Sequence, residues 1–464
     1  MTSRGSDPFL KGNMPDLPSL RPSRRRYAIC GISTRSVVHF LLPLLGIPSS
    51  FSGRDFSGVG EVVGVLDCDP ERMRVMNERC GTNIPSFADF GAMLREARPE
   101  VILVGVPDSH HAGYILKALA NDLDVIVEKP MVIHSAQARA ILEAEARSRG
   151  RVRVAFNMRY HPYSLTARRF IREGHLGKIA NIEFAFNIDT RHGSSYFYRW
   201  NRVRENSGGL SIHKGCHHFD LIGWLIEDRP ETVFAFGKRN FYGPDGALRP
   251  RSADGETLPR REERLRCPYY NRHMADAFGP DENPATKWDP LDLPYHQQYP
   301  DERKRYIYDP EINIEDTYSA VIGYRGGASM AYSCNFSAAW EGYRLAINGS
   351  GGRLEVALTS RTFGPGGMFE APPAHQEMTF YPLFGGRQTL KVEVHSAGGH
   401  GGADPLIQED MFNEGKGNGA IAGLCCYSGA VDGAYAVATG EALWRSIAEK
   451  RPVSIGELLG GGPE

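Results

Sequence analysis

The sequence predicts a two-domain α/β protein. An N-terminal doubly wound sheet of parallel strands is followed by an α+β domain built on a large, mostly antiparallel sheet. Three observations carry this. The 464 residues exceed what one hydrophobic core organises. Between residues 25 and 150, short apolar runs alternate with helix-forming stretches. Beyond residue 150 that alternation stops, and strand-like segments follow one another across glycine-containing turns.

In the N-terminal half the strands are expected at Tyr27 to Gly31, Glu61 to Asp67, Val101 to Val106 and Asp124 to Val127. Pro70 opens one helix after an acidic turn, and Ser135 to Arg149, rich in Ala, Glu, Leu and Arg, forms another. Strands alternating with helices at this spacing imply right-handed crossovers, the organisation of a Rossmann dinucleotide-binding domain over residues 25–150. The second domain, residues 151–455, is expected to carry helices at Ser164 to Glu173 and Leu210 to Ile226. Its strands fall at Ile179 to Ile188, Thr232 to Gly237, Tyr318 to Tyr324, Ala328 to Phe336 and Arg344 to Asn348, and a last helix runs from Tyr427 to Lys450, stopped by Pro452. A long insertion, about 238–312, is dense in Pro, Arg, Asp and Tyr with little periodicity and reads as a lid or a solvated excursion.

Composition narrows the partners. Lys plus Arg number 54 against 55 for Asp plus Glu, so no global field draws nucleic acid or an anionic membrane. No apolar run approaches the ~20 residues of a spanning helix. Residues 1–24, with four prolines and no apolar core, read as a disordered or loosely docked arm rather than a secretory signal. The eight cysteines form no CxxC pair, which points to a reducing, cytoplasmic setting.

The first strand leads into Gly31-Ile32-Ser33-Thr34-Arg35-Ser36, with the spacing of a pyrophosphate-binding glycine turn. Only Gly31 is kept; Ser33 and Ser36 stand at the second and third glycine positions. Asp67, ending the second strand, can accept both ribose hydroxyls and would repel a 2′-phosphate, so NAD is expected over NADP. Its distance from Gly31 is long because the stretch 46–60 reads as an insertion. At the carboxyl edge of the sheet lies Val127-Glu128-Lys129-Pro130. An ammonium there can hold a substrate hydroxyl and stabilise a developing alkoxide.

Together with Val106-Pro107-Asp108-Ser109-His110-His111, this Glu-Lys-Pro resembles the glucose-fructose oxidoreductase, inositol dehydrogenase and rhizopine-catabolism (Gfo/Idh/MocA) family. The resemblance places Lys129 beside the nicotinamide and the reacting carbon, with Pro107, His110 and Glu128 around the cofactor. Ser207-Gly208-Gly209 and the following residues to Asp220 resemble the family's second signature, a glycine pair before a helix that presents an aspartate and, four residues later, a histidine. His217 falls on the histidine and is implied as acid/base for the reacting hydroxyl; His213, followed by Lys214, replaces the aspartate. At i and i+4 the two imidazoles are expected on one helix face. No third ligand in a recognised pattern accompanies them, so no metal is expected.

Arg159, Tyr160, Arg191, His192, Tyr196 and Lys214 cluster in stretches expected to line a polar, partly aromatic pocket able to receive a carboxylate or sulfonate. The first functional reading is an NAD-dependent oxidoreductase acting on a ring C–OH of a sugar, sugar acid or cyclitol. The alternative is a redox-neutral glycoside hydrolase that oxidises, eliminates, hydrates and reduces an anionic glycoside such as a uronide or sulfosugar glycoside. A non-catalytic NAD or sugar sensor is the third. The resemblance also implies a homodimer or homotetramer paired through the open face of the second sheet.

Overall fold

The computed structural model describes residues 24–49, 54–273, 291, 293, 305–363, 369–370, 377–392, 398–413 and 419–461. The arm expected over 1–24 lies outside them except for Arg24, as do residues 50–53 of the first insertion and most of 274–304 in the second.

Six parallel strands form the first sheet: β1 (Arg25–Cys30), β2 (Gly60–Leu66), β3 (Ser86–Phe87), β4 (Val101–Val104), β5 (Asp124–Val127) and β6 (Val152–Val154). Their order, β3-β2-β1-β4-β5-β6, reverses direction between β1 and β4 and so opens a crevice at the carboxyl ends of those two strands. Helices cover both faces, which is why the strands read as unbroken apolar runs rather than alternating ones. Ile29, Ile102, Leu103 and Val104 are fully buried, each side chain contributing about 1.5–3 kcal/mol of burial.

The second sheet has ten strands: β7 (Ile179–Asp189), β8 (Pro230–Lys238), β9 (Thr317–Tyr324), β10 (Ser329–Ala338), β11 (Trp340–Gly349), β12 (Gly352–Phe363), β13 (Phe369–Glu370), β14 (Met378–Pro382), β15 (Gln388–Leu390) and β16 (Val453–Ser454). All neighbours are antiparallel except β7 and β10. β10 shows the expected alternation, with Met330, Tyr332, Cys334 and Phe336 turned inward onto the helical layer. The helices Gly215–Ile226 and Ala430–Glu449 belong to that layer. The opposite face stays open and carries Phe236 and Val321 in the exposed set.

Two expectations are corrected. The single helix expected over Leu210 to Ile226 is two, Leu210–His213 and Gly215–Ile226, broken at Lys214. His213 therefore ends one segment while His217 sits in the first turn of the next. The long insertion is also more ordered than its lack of periodicity implied. Its described part contains the helices Arg260–Arg266 and Pro268–His273 and buries Tyr242, Tyr269, Tyr270, Tyr306 and Tyr308. Tyr242 stacks on Phe197 at 3.9 Å between ring centres, so this segment braces the helix Thr190–Tyr198, which forms one wall of the site. Among the described residues no helix is long and apolar enough to cross a membrane.

Candidate active site

The crevice after β1 is shaped for close backbone approach. Gly31 has φ +88°, and a Cβ there would lie 2.7 Å from the Val106 nitrogen and 2.9 Å from the Gly105 carbonyl carbon. No other residue fits. Ser33 caps the following helical turn, its hydroxyl accepting from the Ser36 N–H at 3.1 Å and lying 2.9 Å from the Ser36 hydroxyl; Thr34 is buried beside it. Gly105, which the sequence did not single out, makes room for Ser36: a Cβ on it would sit 1.9 Å from Ser36 Oγ. The close packing usually provided by a third glycine on the helix is provided here by one on the strand.

Asp67 is buried just past β2. Its Oδ2 accepts from the Ile32 N–H at 2.7 Å and its Oδ1 from the Asp69 N–H at 3.0 Å. Oδ1 also accepts from the Cys68 thiol at 3.6 Å, a weak donor that a ribose hydroxyl can displace, while Oδ2 keeps a lone pair for a second one. Arg72, the nearby cation a 2′-phosphate would need, is buried. Arg35 donates from Nε to Glu128 at 3.0 Å and approaches Asp404, so Arg35 and Glu128 hold each other at the edge of the crevice. His110 is exposed in the turn Asp108–His110 beside half-buried Pro107, while the buried His111 spans the carbonyls of Val106 (2.9 Å) and Pro130 (2.8 Å) and fixes the Lys129 corner.

Lys129 is half-buried and donates to the carbonyl of His213 at 3.1 Å. His213 Nδ1 lies 2.5 Å from Asp108 Oδ2, and its Nε2 lies 3.3 Å from the Asn201 amide nitrogen. Tyr196 and Trp200 present ring edges to it, both at 5.6 Å. Burial pushes the Asp108 carboxyl up to about 7, and burial together with Lys129 and Arg199 drives His213 well below its ordinary value. Asp108 is the functional residue that sequence reasoning missed. His217, one turn on, is also held neutral by burial and by the charges of Lys129 and Lys214; its Nδ1 is buried without a partner. An orphaned lone pair costs less than an orphaned N–H, so the proton resides on Nε2. His218 is structural: Nδ1 meets the Tyr332 hydroxyl at 2.8 Å and the ring stacks on Phe186.

The facing wall comes from His192, Tyr196, Lys214 and Glu341. His192 Nδ1 lies 3.0 Å from Glu341, and its Nε2 lies 2.9 Å from the Tyr196 hydroxyl. Burial would raise Glu341, but His192 and Arg361 outweigh it and hold the carboxyl well below the usual range. The Lys214 ammonium sits 5.1 Å over the Phe186 ring, and burial lowers its pKa. No carboxylate among the described residues pairs with it.

Two expected substrate contacts are corrected. Arg159 is 2% exposed and spends its guanidinium on Asp220 (2.8 and 2.5 Å), the Tyr427 carbonyl and Asp432. Tyr160 is buried with its hydroxyl on Asp410 at 2.5 Å. Both are buried in these contacts, which hold the second domain together. Arg191, in the first turn of Thr190–Tyr198, is exposed, its backbone N–H on Asp189.

Residues 25–156 match the oxidoreductase family (Gfo/Idh/MocA) NAD-binding Rossmann fold, and residues 168–455 match that family's C-terminal alpha/beta domain. The chain belongs to this family. It is 40% identical over 448 residues to the Bacillus subtilis protein YteT, covering 94% of this chain and 99% of YteT. It is 28% identical over 182 residues to the inositol 2-dehydrogenase of Rubrobacter xylanophilus, covering 38% of this chain and 48% of that enzyme. In fold it is similar to the aldose-aldose oxidoreductase of Caulobacter crescentus (TM-score 0.58, 16% identity, 93% of this chain and 99% of that one). The Bordetella pertussis WlbA dehydrogenase, solved with NADH and UDP-GlcNAcA, is equally similar (TM-score 0.58, 15% identity, 93% and 98%). NAD is the cofactor of the family's Rossmann domain, and the Gly31 cradle and the Asp67 carboxylate suit its pyrophosphate and ribose.

Proposed function

We propose that this chain is an NAD-dependent oxidoreductase acting on a ring C–OH of a sugar, sugar acid or cyclitol. The observation that carries the reading is the meeting of Lys129 with the Asp108–His213 pair at the carboxyl edge of the first sheet. Bound NAD supplies a hydride acceptor there. Gly31, Ser33, Ser36 and Asp67 hold it, and the residues around Lys129 manage the hydroxyl proton. With Nδ1 facing Asp108, His213 takes that proton at Nε2 when the substrate hydroxyl displaces the Asn201 amide that donates there at 3.3 Å, and Asp108 stabilises the imidazolium that forms. His217, protonated on Nε2, is a donor to the substrate oxygen rather than the base, and Lys129 offsets negative charge developing on that oxygen. Tyr196 and Trp200 pack against His213 and keep water from its ring.

The half-buried ammonium of Lys214, supported against burial by a Glu341 carboxylate that His192 and Arg361 already share, favours a substrate bearing a carboxylate or sulfonate. The redox-neutral hydrolase is the second reading. It is favoured by a supply of histidine–carboxylate pairs, His213–Asp108, His192–Glu341 and His400–Asp404, larger than one hydroxyl proton requires. The test incubates purified protein and NAD with free sugars, uronates, cyclitols and neutral or anionic nitrophenyl glycosides, following NADH absorbance and nitrophenol together. Stoichiometric NADH from a free polyol supports the dehydrogenase. Nitrophenol release that requires NAD but accumulates no NADH supports the hydrolase. Neither signal from any compound refutes both.

A further inference from the structure

One buried polar atom beside the reacting base has no partner. Asn201 lies in the turn Trp200–Arg202 and is 2% exposed. Its Nδ2 lies 3.3 Å from His213 Nε2, while its Oδ1 is buried without a hydrogen-bond partner among the described residues. Buried amide oxygens are nearly always paired, and one left alone at the heart of a site calls for a reason. The backbone around it is pinned on both sides. Ser207 Oγ donates to the Asn201 carbonyl at 2.8 Å and the Asn206 amide to the Trp200 carbonyl at 3.0 Å. Arg202 ties the same turn to the Tyr306 carbonyl at 3.2 Å and to Asp309 at 2.8 Å. The turn therefore keeps the amide at His213, where a half-rotation of the amide plane exchanges Oδ1 and Nδ2 within the same space.

The other edge of the imidazole shows what that exchange answers. His213 Nδ1 lies 2.5 Å from Asp108 Oδ2. In the deprotonated pair the Nδ1–H serves the carboxylate, and Nε2 is a bare acceptor that Asn201 Nδ2 satisfies. One added proton has two arrangements. A protonated Asp108 that donates to Nδ1 leaves the imidazole hydrogen on Nε2, and an imidazolium carries hydrogens on both nitrogens. Nε2 bears a hydrogen in each. Nδ2 would then set N–H against N–H, and Oδ1 is the atom that fits. The unpartnered oxygen is the acceptor that the protonated pair needs.

We propose that Asn201 is a positioning residue that turns its amide over with the protonation of His213, Nδ2 capping the bare Nε2 and Oδ1 accepting the Nε2–H once a proton has arrived. The inference rests on the oxidoreductase reading for the source of that proton during turnover. There the hydroxyl O–H bond breaks as the Nε2–H bond forms, the C–H electron pair leaves with its hydrogen as hydride for NAD, and the oxygen becomes that of a ketone. As the product departs, Oδ1 takes up the Nε2–H, so the proton stays paired in the buried site until it is released. Asn201 acts through His213 and exchanges no proton itself. The other charged or titratable groups facing the pair are Lys129, Arg199, Lys214 and His111 around His213, and His111, Lys129 and Glu128 around Asp108. All of them stay in place when Asn201 alone is changed.

The test reads the imidazole directly, by NMR of resting, NAD-loaded protein labelled at its histidine and asparagine nitrogens, across pH 5.5–9. The His213 signals are assigned by their loss in His213→Gln, and the amide by its loss in Asn201→Ser. In the wild type, Nε2 is expected to gain its hydrogen as pH falls through about 7, where burial places the Asp108 carboxyl, and the Asn201 amide signal to move with the same midpoint. Asn201→Asp, which offers only acceptors, should raise the midpoint by at least about one pH unit. Asn201→Leu, similar in size but with no acceptor, should lower it, because an orphaned N–H costs more than an orphaned lone pair. A packing role would lower the Tm of both variants without driving their midpoints apart. Midpoints that fail to separate in these directions would overturn the proposal. So would a wild type with no Nε2 transition, or an Asn201 amide signal unchanged through it, a readout that stands even where neither variant folds. No substrate enters these spectra, so failure of the oxidoreductase reading shows separately, as absence of NADH from every compound of the panel.

Discussion

Asp108→Asn removes one charge from the pair that we hold responsible for proton removal while keeping its shape. In the wild type the carboxylate faces His213 Nδ1 at 2.5 Å in a buried setting. When the hydroxyl proton arrives at Nε2, the new imidazolium charge lies about 4 Å from the carboxylate, an interaction of ~4 kcal/mol at an effective dielectric near 20. A hydrogen bond to a charged group, worth ~1.5–3 kcal/mol where a neutral one gives ~0.5–1.5, sets a floor of about 1 kcal/mol. The barrier should therefore rise by about 1–4 kcal/mol, a fall of roughly 5- to 1000-fold in kcat/KM. Because the Asp108 carboxyl is pushed up to about 7 by burial, wild-type kcat/KM should climb as pH rises through about 7 and the carboxylate forms. The variant, with nothing to ionise there, should lack that limb. Initial rates of NADH formation across pH 5.5–9, with the Tm of each protein recorded, make the comparison. An Asp108→Asn enzyme within about threefold of wild type, with the same pH profile, would refute the assignment.

Gly31→Ala combines a left-handed backbone cost of ~1–2 kcal/mol with an overpacking cost of ~1–3 kcal/mol against Val106 and Gly105. It should lower the Tm and weaken NAD binding at least about tenfold by calorimetry, and unchanged NAD affinity would contradict the crevice geometry. His39 is fully buried, and its pKa falls from 6.5 to about 4, chiefly by burial. A depressed imidazole stabilises the fold above its unfolded pKa, and that contribution is lost as pH falls from 6.5 toward 4. His39→Asn should remove up to about 3 kcal/mol of the acid sensitivity seen in denaturant titrations at successive pH values. Phe236 is 69% exposed on the open face of the second sheet. If the chain pairs through that face, light scattering should find a dimer or tetramer that Phe236→Glu converts to monomer; a wild-type monomer would contradict it.

The parallel sheet was legible because strands covered on both faces need unbroken apolar runs, and Val101–Val104 is one. Asp67 and Lys129 were legible because strand ends fix their place in such a sheet. Asp108 was quoted in the turn after β4 but not given its role. Its partner His213 is 105 residues away, and only the docking of the two domains brings them together. Arg159 and Tyr160 misled for the converse reason: their carboxylates are also far off in sequence, 61 residues for Asp220 and 250 for Asp410, so two buried network residues looked like a basic, aromatic binding wall. The break at Lys214 carried a signal, Gly215 directly after it, that the apolar run on either side outweighed. The tyrosines of the long insertion pack ring against ring, stacked, tilted or edge to face, which leaves no periodic trace. His400 sits in a run of glycines where hydrophobic periodicity gives no signal at all.

The central claim is that a ring C–H hydride leaves for NAD under the control of Lys129 and His213. Its most direct test takes the best substrate of the sugar, uronate and cyclitol panel, deuterates its ring carbons, and follows deuterium by mass spectrometry in the nicotinamide during a single turnover. The account predicts one deuteron transferred to the cofactor by the wild type and a rate reduced at least ~100-fold in Lys129→Met of unchanged Tm. Substrate turnover with no deuterium ever reaching the nicotinamide, or full transfer by the Lys129 variant, would contradict it.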